Sequence, residues 1–286
     1  MPVRASLSER RAGVGWYNGK RLSMHVKVLF FGMLKDLVGC AEEQIEVAEG
    51  TRLSNIFEQY CRRFPRLAEM AGSIVLARNL EFAEPEARIG EGDEIALLPP
   101  VSGGSAPPPE AASGTNGAAV PDSGILAEFE DEVGNYFAIT RVPIDARALA
   151  ARLARGCDGS VVTFEGIVRD NSQGRATLYL EYDGYVPLAI KKMREIASDL
   201  LAAHRADRIA MVHRLGRMEI GESSVVIVVT SAHRKPAYEV SREAIDRLKR
   251  LVPIWKKEHF ADGEVWVEGE WDASVLRLEG SSPCSG

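Results

Sequence analysis

Residues 105–124 read SAPPPEAASGTNGAAVPDSG, small residues, proline and glycine with no aromatic, leucine or isoleucine among them. Such a segment buries too little apolar surface to offset the entropy of ordering it. It therefore acts as a linker and divides the 286-residue chain into two parts, residues 25–104 and 125–280, each needing its own core. As a flexible coil it spans on the order of 25 Å, which holds the two parts at millimolar effective concentration. The first part closes with LLPPVSGG (97–104), an apolar run, two prolines and a glycine pair, arranged like a chain terminus in the middle of a chain. Residues 1–24 read as an N-terminal extension expected to be disordered. Residues 1–23 carry five basic side chains and one acid without an apolar segment, which argues against a secretory signal. Residues 281–286 form a short tail.

Hydrophobic residues make up 45% and charged residues 27% of the chain, and no apolar run approaches the ~18 residues of a membrane-spanning helix. Membrane partners are not expected. Cys40, Cys61, Cys157 and Cys284 form no CxxC pair and no metal-ligand spacing. They read as unpaired thiols of a reducing, cytoplasmic compartment, with no metal site. Residues 25–104 hold 8 basic against 13 acidic side chains, and residues 125–280 hold 22 against 25, a balance that argues against nucleic acid as a partner. Residues 233–257 depart from it, with 8 Lys and Arg against 3 acids. An anionic ligand is expected there; a nucleic-acid patch is the competing reading, weakened by the scarcity of interleaved aromatics.

In the first part, HVKVLFF (25–31) has the continuous apolar pattern of a buried strand and EEQIEVAEG (42–50) alternates as a half-buried one. Leu53, Ile56, Phe57, Tyr60 and Phe64 form a helical stripe, with Thr51 available as N-cap and Pro65 as the stop. SIVLARN (73–79) and DEIALLPP (93–100) add two strands. A sheet folded over one helix is the ubiquitin-like β-grasp arrangement. In the second part, helices are expected over 145–155, 186–205 and 235–252 and strands over 160–170, 176–185, 208–216 and 223–233. SSVVIVVTSAH is so continuously apolar that both its faces must be covered. The fold class is α+β.

Three stretches of the second part stand out. FEGIVRDN places Phe164 and Arg169 at the end of a strand, TSAHR places His233 and Arg234 where a buried strand meets a helix, and LKRLVPIWKKE carries Lys249 and Lys256 seven residues apart. Strand ends and loops are where sites gather. Taken singly, each has a plainer account: a solvated edge charge, a structural histidine, the wet face of an amphipathic helix. The five histidines show no metal-binding spacing. Pro253 interrupts the helix, so helical spacing alone does not bring the two lysines together. Gly103-Gly104 reads by itself as a hinge opening the linker, or as a side-chain-free tail able to enter a narrow channel.

HVKVLFFGMLKDLVG (25–39) and LLPPVSGG, with a β-grasp pattern between them, resemble the small, sulfur-carrying subunit of molybdopterin synthase. In order, FEGIVRDN, TSAHR and LKRLVPIWKKE resemble its large, catalytic subunit, over roughly residues 136–270. The resemblance implies the two subunits fused in one chain: a ubiquitin-like β-grasp domain, a flexible linker and an α/β hammerhead-type catalytic domain. It also implies an activity, the placing of two sulfurs on cyclic pyranopterin monophosphate to give the dithiolene of molybdopterin, with no tightly bound cofactor. Gly104 matches the glycine that carries sulfur as a thiocarboxylate, with Gly103 before it. The anion and pterin pocket maps onto Ile167, Val168, Arg169, His233 and Arg234, and Lys249, Lys256, Lys257 and Glu258 match the remaining substrate contacts. Phe164 is expected against the pterin or the carrier tail, or in plain core packing.

Paired anions call for fixed positive charge, which Arg169 and Arg234 supply in bidentate form. Cationic neighbours favour the neutral amine of a lysine, making Lys249 the first choice for base or nucleophile and Lys256 for general acid or transition-state stabiliser. An acyl-adenylate forms on a free carboxylate, so cleavage after Gly104 is expected. The implied partners are the chain's own cleaved half, an E1-like adenylating enzyme, a sulfurtransferase that loads the carrier, and a second copy in a homodimer through the catalytic domain, a heterotetramer after cleavage. The alternative is a ubiquitin-like binding module fused to a non-catalytic docking domain.

Overall fold

The structure is a computed structural model that describes residues 16–17, 20–21, 23–101, 124–267 and 269–276. Gly103, Gly104, the linker up to residue 123 and the tail lie outside the described residues. Within the expected extension, Trp16–Tyr17 pairs with Lys20–Arg21 as a two-stranded ribbon, and the first long strand already starts at Ser23.

That strand, β1 (Ser23–Phe30), runs antiparallel to β2 (Glu42–Ala48) and parallel to β5 (Glu94–Leu98), and β3 (Val75–Arg78) and β4 (Glu81–Phe82) complete a sheet of order β2-β1-β5-β3-β4. The short helix α1 (Met33–Val38) follows β1, and α2 (Leu53–Arg63) lies across the sheet. Val26, Val28 and Phe30 of β1, Ile95 and Leu97 of β5 and Leu53, Ile56 and Tyr60 of α2 share one core. This is the β-grasp arrangement read from the pattern. The helix begins differently from expectation. Arg52 holds the N-cap position with its N–H donating to Asn55 Oδ1 at 3.1 Å, while the Thr51 hydroxyl donates back to Ala48 O at 2.6 Å and is not free to cap. Pro65 ends α2 and opens α3 (Pro65–Glu69), where its missing N–H costs nothing.

The second domain has two sheets. Strands β6 (Ile125–Glu130), β7 (Tyr136–Thr140), β8 (Ser160–Ile167), β11 (Arg208–Arg214) and β13 (Ser223–Ser231) form one, in the order β8-β13-β11-β7-β6. Helix α4 (Ala146–Leu153) covers one face, and α5 (Val186–His204) and α6 (Arg234–Leu251) the other. Both faces of β13 are thereby buried, as its unbroken apolar run requires. The second sheet contains β9 (Asn171–Ser172), β10 (Arg175–Gly184), β14 (Ile254–Phe260) and β15 (Gly263–Val267) in that order, with β12 (Gly216–Glu219) also paired to β10. A last turn of helix, α7, spans Ala273–Leu276. Pro253 stops α6, whose C-cap is Val252, and the chain returns at once as β14.

The first domain seats on the outer face of the β10–β14–β15 sheet. Leu29, Val75, Ala77, Ala96, Leu98 and Val101 of the first domain bury a common cluster with Tyr185, Leu188, Trp255 and Trp271 of the second. Phe31 stacks between Tyr185, at 4.8 Å, and Trp255, at 5.3 Å between ring centroids. The Trp255 indole N–H donates to Pro99 O at 2.9 Å, so the end of β5 is pinned to β14. Gly32 donates its N–H to Asp183 Oδ2 at 3.2 Å. It has φ +52, and a Cβ there would stand 3.0 Å from Trp255 Cγ, so both conformation and space call for glycine.

Candidate functional site

Strand alternation makes the β10–β14–β15 sheet a partition. On β14, Trp255 and Lys257 point toward the first domain, and Ile254, Lys256 and Glu258 point the other way and line a cavity of about 300 Å³. On β10, Asp183 faces the first domain and Leu180 and Tyr182 line the cavity. On β15, Trp266 donates to Asp36 Oδ2 at 2.8 Å, and its neighbour Val267 lines the cavity. Each strand thus presents one set of side chains to the docked domain and the alternate set to the cavity.

The remaining walls come from β8 and the loop beyond it (Phe164, Gly166, Ile167, Arg169), from β11 and β13 (His213, Ser224) and from the last turns of α6 (Ile245, Leu248, Lys249). Lys249 and Lys256 do meet at one cavity. The turn at Val252–Pro253 folds β14 back beside the end of α6, which helical spacing had no means of showing. Lys256 Nζ lies 2.7 Å from Glu258 Oε1 on the same face of β14. Arg169 and Lys249 are exposed and form no ion pair among the described residues. Three cations against one carboxylate give the cavity a positive field suited to an anion.

Of the expected substrate contacts, Phe164, Ile167, Arg169, Lys249, Lys256 and Glu258 line the cavity. Phe164 also packs against the main core, so both readings of that residue hold. Val168 does not line it: the residue is buried with Leu180 and Met218 because β8 has ended and its side chain turns inward. Lys257 does not either. It stands on the opposite face of the strand, 3.3 Å from Asp36 Oδ2 and paired with Glu264. Burial acts to lower its pKa, but Glu264 and Asp36 outweigh that and hold it above the ordinary value. It is an anchor for the docked domain. His233 and Arg234 are likewise outside the cavity lining, exposed at the N-terminus of α6. Sixteen residues of helix separate His233 from Lys249, about 24 Å.

Sequence reasoning missed His213, Tyr182 and Ser224, which lie within stretches read only as strand cores. A histidine in the apolar run RIAMVHRLG was the available signal. Also unread were the docking contacts Trp255–Pro99, Tyr185–Glu94, Lys191–Glu81 and Trp266–Asp36. Among the described residues, no group of three or more His, Cys, Asp or Glu is placed to hold a metal, and no helix is long and apolar enough to cross a membrane.

Fold and site together define an α+β protein in which a ubiquitin-like domain is seated behind a cation-lined cavity. Residues 28–104 match the ThiS family and residues 139–251 match the MoaE protein family. The molybdopterin synthase catalytic subunit of Halalkalibacterium halodurans is 44% identical over 131 residues, 46% of this chain and 84% of that protein. That of Bacillus subtilis is 40% identical over 139 residues, 49% of this chain and 88% of that protein. Among solved structures, molybdopterin synthase from Staphylococcus aureus is 39% identical, covering 46% of this chain and 96% of that one with a TM-score of 0.45. The chain belongs to the molybdopterin synthase family, with the small and catalytic subunits fused in one polypeptide. It is an enzyme of molybdenum cofactor biosynthesis.

Proposed function

We propose that the chain acts as a sulfurtransferase, moving sulfur from a thiocarboxylate on Gly104 to cyclic pyranopterin monophosphate and so forming the dithiolene of molybdopterin. One observation carries the reading: the cation-lined cavity lies directly behind the sheet that holds the first domain. Val101, buried at that interface, is three residues from Gly104, a reach of about 10 Å when extended. In each round the thiocarboxylate sulfur forms a bond to a side-chain carbon of the pterin while a carbon–oxygen bond at that carbon breaks, the oxygen leaving as water in one round and with the opened cyclic phosphate in the other. Water then cleaves the acyl–sulfur bond, which returns Gly104 as a carboxylate and leaves the sulfur on the substrate.

Both reactants are anions, and Arg169 with Lys249 offsets the charge of bringing them together. Lys249 serves as base or nucleophile. Lys256, oriented by Glu258, protonates or stabilises the developing charge. Loading Gly104 requires a free carboxylate, so the Gly104–Ser105 bond is cut by a protease. An E1-like enzyme then adenylates the new terminus and a sulfurtransferase converts it to the thiocarboxylate. The unpaired thiols Cys40, Cys61 and Cys157 suit a reducing cytoplasm. His233 and Arg234, exposed at the N-terminus of α6, remain proposed substrate contacts, and the chain forms a homodimer through its catalytic domain. Cleavage turns that homodimer into a heterotetramer.

The test has two parts. Intact mass of protein from its own cell should give two pieces that co-purify, the first ending at Gly104. The thiocarboxylated pieces should then convert the cyclic pterin to the dithiolene in a single-turnover assay. Only uncut, active chain would refute the cleavage, and absence of dithiolene from loaded pieces would favour a docking platform without catalysis.

A further inference from the structure

His213 lines the cavity yet has no part in the chemistry above. It is 4% exposed, and its Nδ1 lies 2.9 Å from the carbonyl oxygen of Arg214. A carbonyl only accepts, so Nδ1 carries the proton and Nε2 presents a lone pair. Burial pushes His213 down to about 4, opposed in part by the Arg214 carbonyl, so the ring is neutral at physiological pH. Its neighbours do not supply a hydrogen to Nε2. Tyr182 meets the ring edge-to-face at 5.1 Å and 66°, and the Ser224 hydroxyl donates to Gly166 O at 3.0 Å. Among the described residues nothing donates to Nε2. Nε2 is thus left without a protein donor on a ring that lines the cavity, and an N–H of a bound ligand can fill that place.

We infer that His213 is the recognition residue for the heterocycle of the substrate, accepting a ring N–H through Nε2 and fixing which way round the substrate lies. The inference rests on the sulfur-transfer reading for the identity of the ligand. A phosphate and a thiocarboxylate bring only acceptors at neutral pH, whereas a reduced pterin brings several N–H donors. The opposite chemistry stands further along β10. Thr177 lines the same cavity with its hydroxyl buried and unpartnered, and Asp170, next to Arg169, accepts the Thr177 backbone N–H at 2.8 Å. Thr177 and Tyr182 are five residues apart on one strand, about 16 Å. Donors at the Arg169 end suit the phosphate; the acceptor at the His213 end suits the ring.

The experiment compares the full chain with His213→Asn, which keeps a donor for Arg214 O but leaves nothing at the Nε2 position, and with His213→Gln, whose amide oxygen can occupy it. Calorimetric Kd for cyclic pyranopterin monophosphate is expected to rise about 10-fold in His213→Asn and to recover in His213→Gln, with the ratio constant between pH 6 and 9. In the folded wild type, the ¹⁵N resonance of Nε2 should move upfield when the ligand binds, a readout that needs no variant. Unchanged Kd in a folded His213→Asn, or an unmoved Nε2 resonance at saturation, would overturn the inference while leaving sulfur transfer intact. Wild-type protein that fails to bind the cyclic pterin at all would overturn both.

Discussion

Lys256 and Lys257 are consecutive on β14, and the sheet separates them. Lys256 faces a cavity shared with Arg169 and Lys249, where cations outnumber the single carboxylate of Glu258. Lys257 faces the docked domain, held between Asp36 and Glu264 with its proton retained. The same residue type thus has two jobs, set by the parity of its position on a strand. The arrangement keeps the charges that line the cavity away from the charges that hold the first domain. It also pins the carrier beside the cavity wall, because Trp255, between Ile254 and Lys256, is both the main docking side chain and part of the wall's backbone.

That division can be broken first at Trp255. Trp255→Ala removes a 2%-exposed indole, its stack on Phe31 and its bond to Pro99 O, and should weaken association of residues 1–104 with residues 105–286 by more than 100-fold, about 3 kcal/mol. A near-wild-type Kd in a calorimetric titration would mean that docking does not run through this face.

A second test reads the cavity side by pH. His213 is lowered from 6.5 to about 4 in the folded chain by burial, so between those values the unfolded state binds the extra proton. Stability is therefore full above about 6.5 and falls as pH drops toward 4, by at most about 3 kcal/mol. Denaturant melts across that window should lose most of this slope in His213→Gln; an equal slope in both proteins would show that the ring is not buried neutral. The smallest effect is expected at Asp36, which takes Lys257 at 3.3 Å and Trp266 Nε1 at 2.8 Å. Asp36→Asn should weaken docking about 10-fold, and surface plasmon resonance should place the change in the dissociation rate.

Much of the fold was legible because its signals are local. The linker announced two domains by composition, and the stripes of α2 and α6 and the apolar run of β13 each recorded the surface they pack against. The strand at the heart of the site was not legible. IWKKEHF does not alternate between apolar and polar, since both faces of β14 meet protein: one a polar cavity, the other a neighbouring domain that supplies Asp36 as well as Phe31. The resemblance placed both Lys256 and Lys257 among the substrate contacts, with Lys256 as general acid, and without the period of two nothing in the sequence set them on opposite faces. The meeting of Lys249 and Lys256 depends on the Pro253 turn, a tertiary event. His213 was hidden for a related reason, being polar in a strand whose neighbours are all core.

The partition is tested most directly by following single-turnover sulfur transfer while thiocarboxylated residues 1–104 are titrated against residues 105–286 carrying Lys256→Ala or Lys257→Ala. The expected result is a plateau rate lowered by about 100-fold in Lys256→Ala at an unchanged half-saturating concentration. Lys257→Ala should instead raise the half-saturating concentration about 10-fold at an unchanged plateau. Matching effects from the two variants, or the reverse assignment, would contradict the account.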